Sequence, residues 1–232
     1  MIRNALGTLC AALLGLAAMP SVARAGPATC SNPPPDLLIQ DAQPFAGNEL
    51  ERQLARALLP RSGHTLYLAD LPGRGPEAGV YLTRARGSCQ VVKVWIQGGS
   101  FRLAVREGAR LPKAQSLRAP LGMETCRQLL ATWSAVLSTR TPAPAPSSLP
   151  PCWVVMDGGT YHLGVRDAGG WKFAHAEPQH DRPKLDAFVG LARDLARFVY
   201  VRPAERATKE AALRRSATEV AAAFGEAPAP GR

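Results

Sequence analysis

Apolar and polar residues alternate on both sides of a Gly-Gly pair at two places in the chain. The first alternating stretch covers residues 92–106 around Gly98-Gly99, and the second covers residues 152–166 around Gly158-Gly159. Strand side chains alternate between two faces, and glycine adopts the positive φ that two-residue hairpin turns require. We therefore predict two β-hairpins, each with one apolar face that another element must cover.

The two stretches also share residues at equivalent positions, sixty residues apart. The identical pairs are Val94/Val154, Gly98/Gly158, Gly99/Gly159, Leu103/Leu163, Val105/Val165 and Arg106/Arg166. After each stretch, apolar residues recur at helical spacing, in 123–139 and in 184–200. This order is typical of an internal duplication. The predicted fold class is α+β, an antiparallel sheet built from a duplicated β-hairpin-plus-helix unit with helices on one face.

The remaining patterns predict further elements and a division of the chain. Residues 48–59 read as a helix, whereas 108–121 have no periodicity and are expected to be irregular. Further strands are predicted at 65–69, 80–84, 90–97 and 171–175. The expected organisation is a signal peptide (1–25), an extended lead-in (26–46), a first α/β half (47–140), a Pro-rich linker (141–151), a second half (152–202), and a peripheral helix with a disordered tail (203–232).

The first 25 residues have the three parts of a secretory signal peptide. Arg3 lies in a short positive region, an apolar run follows, and Ala23-Arg24-Ala25 precedes the expected cleavage site. The apolar run is too short to span a bilayer as a helix. We expect an exported protein, periplasmic or extracellular, with no transmembrane segment in the mature chain.

Four cysteines remain after removal of that segment: Cys30, Cys89, Cys126 and Cys152. An even number of cysteines in an exported protein favours two disulfides, and the sequence leaves three connectivities open. Because Cys126 opens a predicted helix and Cys152 opens the next predicted strand, we favour Cys126–Cys152 together with Cys30–Cys89. A cysteine metal site is disfavoured, since no pair has C-x-x-C spacing.

Catalytic sequence motifs are absent: the chain has no G-x-S-x-G, H-E-x-x-H, phosphate loop or dinucleotide fingerprint. We therefore expect no cofactor. If Arg166 pairs with Trp171 across neighbouring strands, His162 faces His175 with Asp157 nearby, and this set could hold zinc or copper. The competing interpretation places these histidines on the surface of strands, without a ligand.

Basic residues are concentrated in one part of the chain. Residues 84–118 contain eight lysines and arginines and one glutamate, an excess of +7 in a chain whose formal net charge is +10. The predicted register places Lys93, Trp95 and Arg102 on the outer face of the first hairpin, with Arg102 opposite Trp95. Cations beside an aromatic ring can bind anionic groups through charge and cation–π contacts. The alternative is that arginine is merely abundant in this chain and the face is solvated.

These features favour a non-catalytic binding module over an enzyme. Its partner would be an anionic envelope polymer, a lipid headgroup or an acidic protein, and nucleic acid is not expected. Two alternatives stay open. One is a small metal-dependent enzyme or hydrolase that uses His162, His175 and Asp157; the other is a structural envelope component that uses its Pro-rich linker as a spacer.

Overall fold

The computed structural model describes residues 38–43, 49–59, 63–72, 75–85, 87–142, 159–176 and 182–225. The strands are β1 (Ile39–Asp41), β2 (His64–Leu71), β3 (Ala78–Ala85), β4 (Ser88–Ile96), β5 (Ala114–Leu121), β6 (Thr160–Asp167) and β7 (Gly170–Ala176). The helices are α1 (Glu49–Leu58), α2 (Phe101–Arg106), α3 (Met123–Ser138), α4 (Pro183–Arg197) and α5 (Arg206–Gly225). Two short 3-10 turns, Phe198–Tyr200 and Pro203–Glu205, connect α4 to α5.

All these strands form one antiparallel sheet in the order β1-β7-β6-β2-β3-β4-β5. Strands from both predicted halves therefore lie in the same sheet, because β6 pairs with β2. The prediction of an α+β fold with an antiparallel sheet is confirmed.

The larger core lies between the sheet and helices α3 and α4. Alternate strand residues such as Leu66, Val91 and Leu163 face these helices and are buried. Trp133 of α3 packs edge-on against Phe188 of α4, with ring centroids 4.6 Å apart. Helix α5 lies outside this pair and adds the buried residues Leu213, Ala217, Val220 and Phe224.

A smaller apolar cluster covers the opposite face of the sheet. Tyr67 and Ile96 point to this side, where they join Leu54 and Leu58 of α1 and Phe101 of α2. The prediction that helices cover one face of the sheet therefore holds for α3, α4 and α5. The short helices α1 and α2 pack on the other face.

The predicted hairpin at 92–106 is wrong. Gly98 and Gly99 do have positive φ angles, 86° and 138°, but the chain then enters helix α2. Ser100 caps this helix, because its hydroxyl accepts the backbone N–H of Leu103 at 3.3 Å. Strand β4 pairs instead with β5, in a region where the sequence predicts irregular structure.

The second predicted hairpin, 152–166, lies only partly within the described residues. Residues 152–158 lie outside the described part of the chain, but β6 is bonded to β2 on one edge and to β7 on the other. Its hairpin partner is β7, with Arg166 opposite Trp171 as the sequence predicts. The duplicated hairpin unit is therefore not confirmed.

A disulfide joins β4 to α3 through Cys89 and Cys126, whose Cα atoms are 6.4 Å apart. Both predicted pairings, Cys126–Cys152 and Cys30–Cys89, are wrong, because Cys89 and Cys126 bond to each other. Cys30 and Cys152 lie outside the described residues. The strand-to-helix distance that decides this pairing is a tertiary property that residue spacing does not reveal.

Among the helices described, none combines the length and the apolarity that crossing a bilayer requires.

Candidate functional sites

Lys93 lies between two aromatic rings on the β5 side of the sheet. Lys93 and Trp95 are two residues apart on β4, so their side chains share a face. The Lys93 Nζ atom is 5.5 Å from the centre of the Trp95 ring and 4.9 Å from that of Tyr200. It also donates a hydrogen bond to the Tyr200 hydroxyl at 3.2 Å. The fold thus brings Lys93 and Trp95 together and adds Tyr200 from the turn after α4.

Arg102 does not lie opposite Trp95. The residues facing Trp95 in the ladder are Ala78 and Gln115, whereas Arg102 belongs to helix α2. Phe101, next to it, is buried in the cluster on the opposite face of the sheet. The expected juxtaposition fails because 101–106 is helical and does not fold back along β4.

Two apolar side chains near Lys93 are exposed to solvent. Leu117 faces Lys93 across the β4–β5 ladder and is 42% exposed, and Tyr200 is 56% exposed. We call Lys93, Trp95, Leu117 and Tyr200 the β5 patch. Sequence reasoning missed Leu117 because β5 was not recognised, and missed Tyr200 because only the fold brings it to β4.

Strand β5 forms one edge of the sheet. The Gln97 N–H donates to the Lys113 carbonyl at 3.2 Å, and the Ile96 N–H points the other way, to Glu77. Since bonded pairs alternate along an antiparallel ladder, the backbone groups of Ala114, Ser116 and Arg118 point away from β4. Pro120 also occupies an outward position, where its missing N–H breaks no ladder bond. The backbone edge of β5 is therefore open within the described sheet.

A second candidate site lies at the β1–β7–β6 end of the opposite face. His162 faces His175 across β6 and β7 as predicted, with ring centroids 6.0 Å apart. Asp157, the predicted third member, lies outside the described residues. Asp41 of β1 supplies a carboxylate instead, with its Oδ1 atom 2.8 Å from Nδ1 of His175. Sequence reasoning missed Asp41, because β1 fell in the predicted extended lead-in.

Burial shapes the electrostatics of this site. The Asp41 side chain is only 7% exposed, and His162 is buried. The buried Tyr67 lies beside them, and burial together with the negative charge of Asp41 raises the pKa of its phenol. Farther along the same face, the ring centroids of His64 and Trp171 are 4.8 Å apart. Burial lowers the pKa of His64.

The Asp41–His175 couple can hold an imidazole in a fixed orientation, as a general acid or base requires. Across the described ranges, no three His, Cys, Asp or Glu side chains come together in a way that could hold an ion, and Asp157 lies outside these ranges.

Comparison of the chain with protein-family models, with curated proteins and with solved structures finds no match. The fold and the two sites define an α+β protein with an open strand edge and a partly buried Asp–His couple.

Proposed function

We propose that this protein is an exported binding module whose β5 edge receives an extended, acidic segment of a partner protein. Export is supported by the signal-peptide pattern of residues 1–25 and by the Cys89–Cys126 disulfide, a bond typical of oxidising compartments. Catalysis plays no part in this proposal.

The observation that carries the proposal is the open edge of β5. Five consecutive residues, Ala114–Arg118, are exposed, and every second one directs its backbone N–H and C=O outward. Such an edge can pair with an added strand, whose main chain then provides affinity while its side chains provide specificity.

The side chains beside this edge favour an acidic partner with some apolar residues. Leu117 and Tyr200 offer exposed apolar surface on one face of the sheet. Lys113 and Arg118 are exposed along the strand, within the 84–118 region that has an excess charge of +7. Anionic residues of an incoming strand would meet these cations, whereas a second copy of this chain would set like charges against each other.

The test uses an alternating valine–glutamate decapeptide, with a valine–lysine decapeptide as its charge-reversed counterpart. Ser116→Pro removes an outward N–H and leaves the bonds between β4 and β5 intact. We expect it to weaken binding of the valine–glutamate peptide about fivefold, since one hydrogen bond contributes roughly 1 kcal/mol. Ser116→Ala, which keeps that N–H, is the matched control and should bind like the wild type.

Charge is tested by a pair of variants that change the net charge equally. Arg118→Gln should weaken peptide binding more than Arg215→Gln, whose exposed side chain lies on α5. Binding should also weaken with salt, because the Debye length is only about 8 Å at physiological ionic strength.

Three results would overturn the proposal. The first is equal loss for Arg118→Gln and Arg215→Gln. The second is binding of heparin or anionic vesicles, but not of the peptide, with no effect of Ser116→Pro. The third is a dimer in light scattering that Ser116→Pro dissociates, which would make a second copy the occupant.

A second candidate function, general acid–base catalysis in a hydrolytic reaction, is favoured by the 2.8 Å contact between Asp41 and His175. A hydrolase at this site would cleave p-nitrophenyl acetate, and both His175→Gln and Asp41→Asn would reduce the rate. His64→Gln serves as the control on the same face. Equal rates for all variants would exclude this function for the ester tested.

A further inference from the structure

A groove separates the end of α4 from the beginning of α5, on the helical side of the molecule. Its volume is about 380 Å³, within the range of roughly 300–1,000 Å³ that small-molecule sites occupy. This groove is separate from the β5 patch. Tyr200 of the patch accepts a hydrogen bond from Lys93, whereas its neighbours Phe198 and Val201 line the groove.

The groove has an apolar lining anchored in the core. Phe198 and Leu213 both line it and are both almost fully buried, so only their edges face the groove. Val201, from the turn after α4, is half-buried and completes this lining. Because side chains packed in a core hold fixed rotamers, the lining is already formed before any ligand binds.

Cations dominate the charged groups around the groove. Arg197 and Lys209 line it from α4 and α5 respectively, with Asp194 as the acidic residue beside them. Arg197 Nη1 donates to Asp194 Oδ1 at 3.0 Å, but the Arg197 side chain is 74% exposed and its guanidinium has further N–H donors. In the part of the chain that the structure describes, Lys209 forms no ion pair. The lining therefore carries a net positive charge above apolar surface.

We propose that this groove binds a monomeric long-chain carboxylate. The carboxylate lies between Lys209 and Arg197, where its negative charge offsets the net positive charge of the lining. The alkyl chain lies on Phe198, Val201 and Leu213, where its methylene groups are removed from water. This combination of apolar lining and few convergent polar groups is what small-molecule sites have in common.

The test is calorimetric titration of the full exported chain with dodecanoate below its micelle concentration. Butanoate controls for chain length and decanol for charge. We expect saturable one-to-one binding of dodecanoate and weaker binding of both control compounds. Lys209→Gln should weaken dodecanoate binding about threefold to fivefold, the effect of one exposed ion pair. Arg215→Gln, outside the groove on the same helix, should leave the affinity unchanged.

A steric variant tests the location of the chain. Ala212→Trp places an indole in the groove, since Ala212 is one of its lining residues, and should abolish binding. Circular dichroism in the helical region shows whether the Ala212→Trp variant folds. If that variant does not fold, the exposed substitution Lys209→Gln still tests the proposal.

Several results would overturn the inference: no saturable binding of dodecanoate, equal affinity for decanol, or no effect of Lys209→Gln. The wild type and a folded Ala212→Trp variant could also bind phosphatidylglycerol vesicles equally well. That result would mean that the cations at the groove attract a membrane surface and do not hold a bound carboxylate. None of these variants alters β5, so failure here and failure of the proposed strand addition are distinguishable.

Discussion

Glu77 holds the beginning of helix α2 through Phe101: its Oε2 atom accepts the Phe101 backbone N–H at 2.8 Å. Its Oε1 atom accepts the Ser100 hydroxyl at 3.0 Å, and Glu77 itself is buried. The carboxylate thus satisfies a backbone donor that a helix N-terminus leaves without an intrahelical partner. This capping group comes from the chain just before β3, far from α2 in sequence.

Removing that carboxylate should destabilise the fold. We expect Glu77→Ala to reduce the free energy of unfolding by about 2 kcal/mol, because a buried charge-assisted cap is lost. Glu77→Gln keeps one oxygen acceptor and should lose less. Urea unfolding measures the free energy of unfolding of both variants. Ser100→Ala, which removes the hydroxyl cap, serves for comparison and should cost about 1 kcal/mol. A loss below about 0.5 kcal/mol for Glu77→Ala would mean that the cap adds nothing.

A side chain at position 164 should be strongly unfavourable. A Cβ atom on Gly164 would lie 2.2 Å from Cε1 of Tyr67 and 3.0 Å from Cδ1 of Phe173. Because Tyr67 is fully buried and cannot move aside, Gly164→Ala should cost about 1–3 kcal/mol. Thermal and urea unfolding measure the change.

Gly190 provides the opposite case in helix α4. Apart from the backbone of its own helix and its chain neighbours, no described atom lies within 4 Å of a Cβ built there, so Gly190→Ala should stabilise the protein by about 0.5–1 kcal/mol. If both substitutions destabilised equally, the packing of Tyr67 over Gly164 would not be the cause.

The disulfide connectivity is open to direct mapping. Digestion without reductant should yield a peptide pair joined through Cys89 and Cys126, and none joining Cys126 to Cys152. In exported protein without free thiols, the remaining Cys30 and Cys152 should then be linked to each other. Replacing Cys89 and Cys126 by serine should cost about 4 kcal/mol, the chain-entropy value for cysteines 37 residues apart. Unchanged stability would show that this bond does not restrict the unfolded chain as expected.

Asp167, at the β6–β7 turn, should contribute a pH-dependent part of the stability. Hydrogen bonds from Lys172, Ser134 and the Gly169 N–H lower its pKa to about 2. An aspartate in an unfolded chain has a pKa of about 3.9. The contribution is therefore complete above pH ~4 and is lost as the pH falls through about 2.

Asp167→Asn tests this dependence. The variant should be less stable than the wild type at neutral pH, and the difference should shrink as the pH falls from about 4 to about 2. Ser134→Ala, which removes one of the three donors, should show a smaller difference with the same trend. A difference that stays constant over this range would exclude the ionised Asp167 as its source.

Local patterns in the sequence determined much of the secondary structure. Helix α3 was predicted at 123–139 and found at Met123–Ser138, because its apolar residues follow a helical period over four turns. The Arg166–Trp171 pairing that the sequence left as a condition is the β6–β7 register, and with it His162 lies opposite His175.

Only the tertiary structure decided the rest. The stretch after Gly98-Gly99 has alternating residues that suit a strand, but Glu77 caps it as a helix and Phe101 is buried beside α1. Cys89 and Cys126 meet because α3 lies across β4, and Asp41 reaches His175 because β1 adds to the edge of β7. A periodic pattern reports which face of one element is apolar, whereas these contacts join residues far apart in the chain and exist only once the layers have packed.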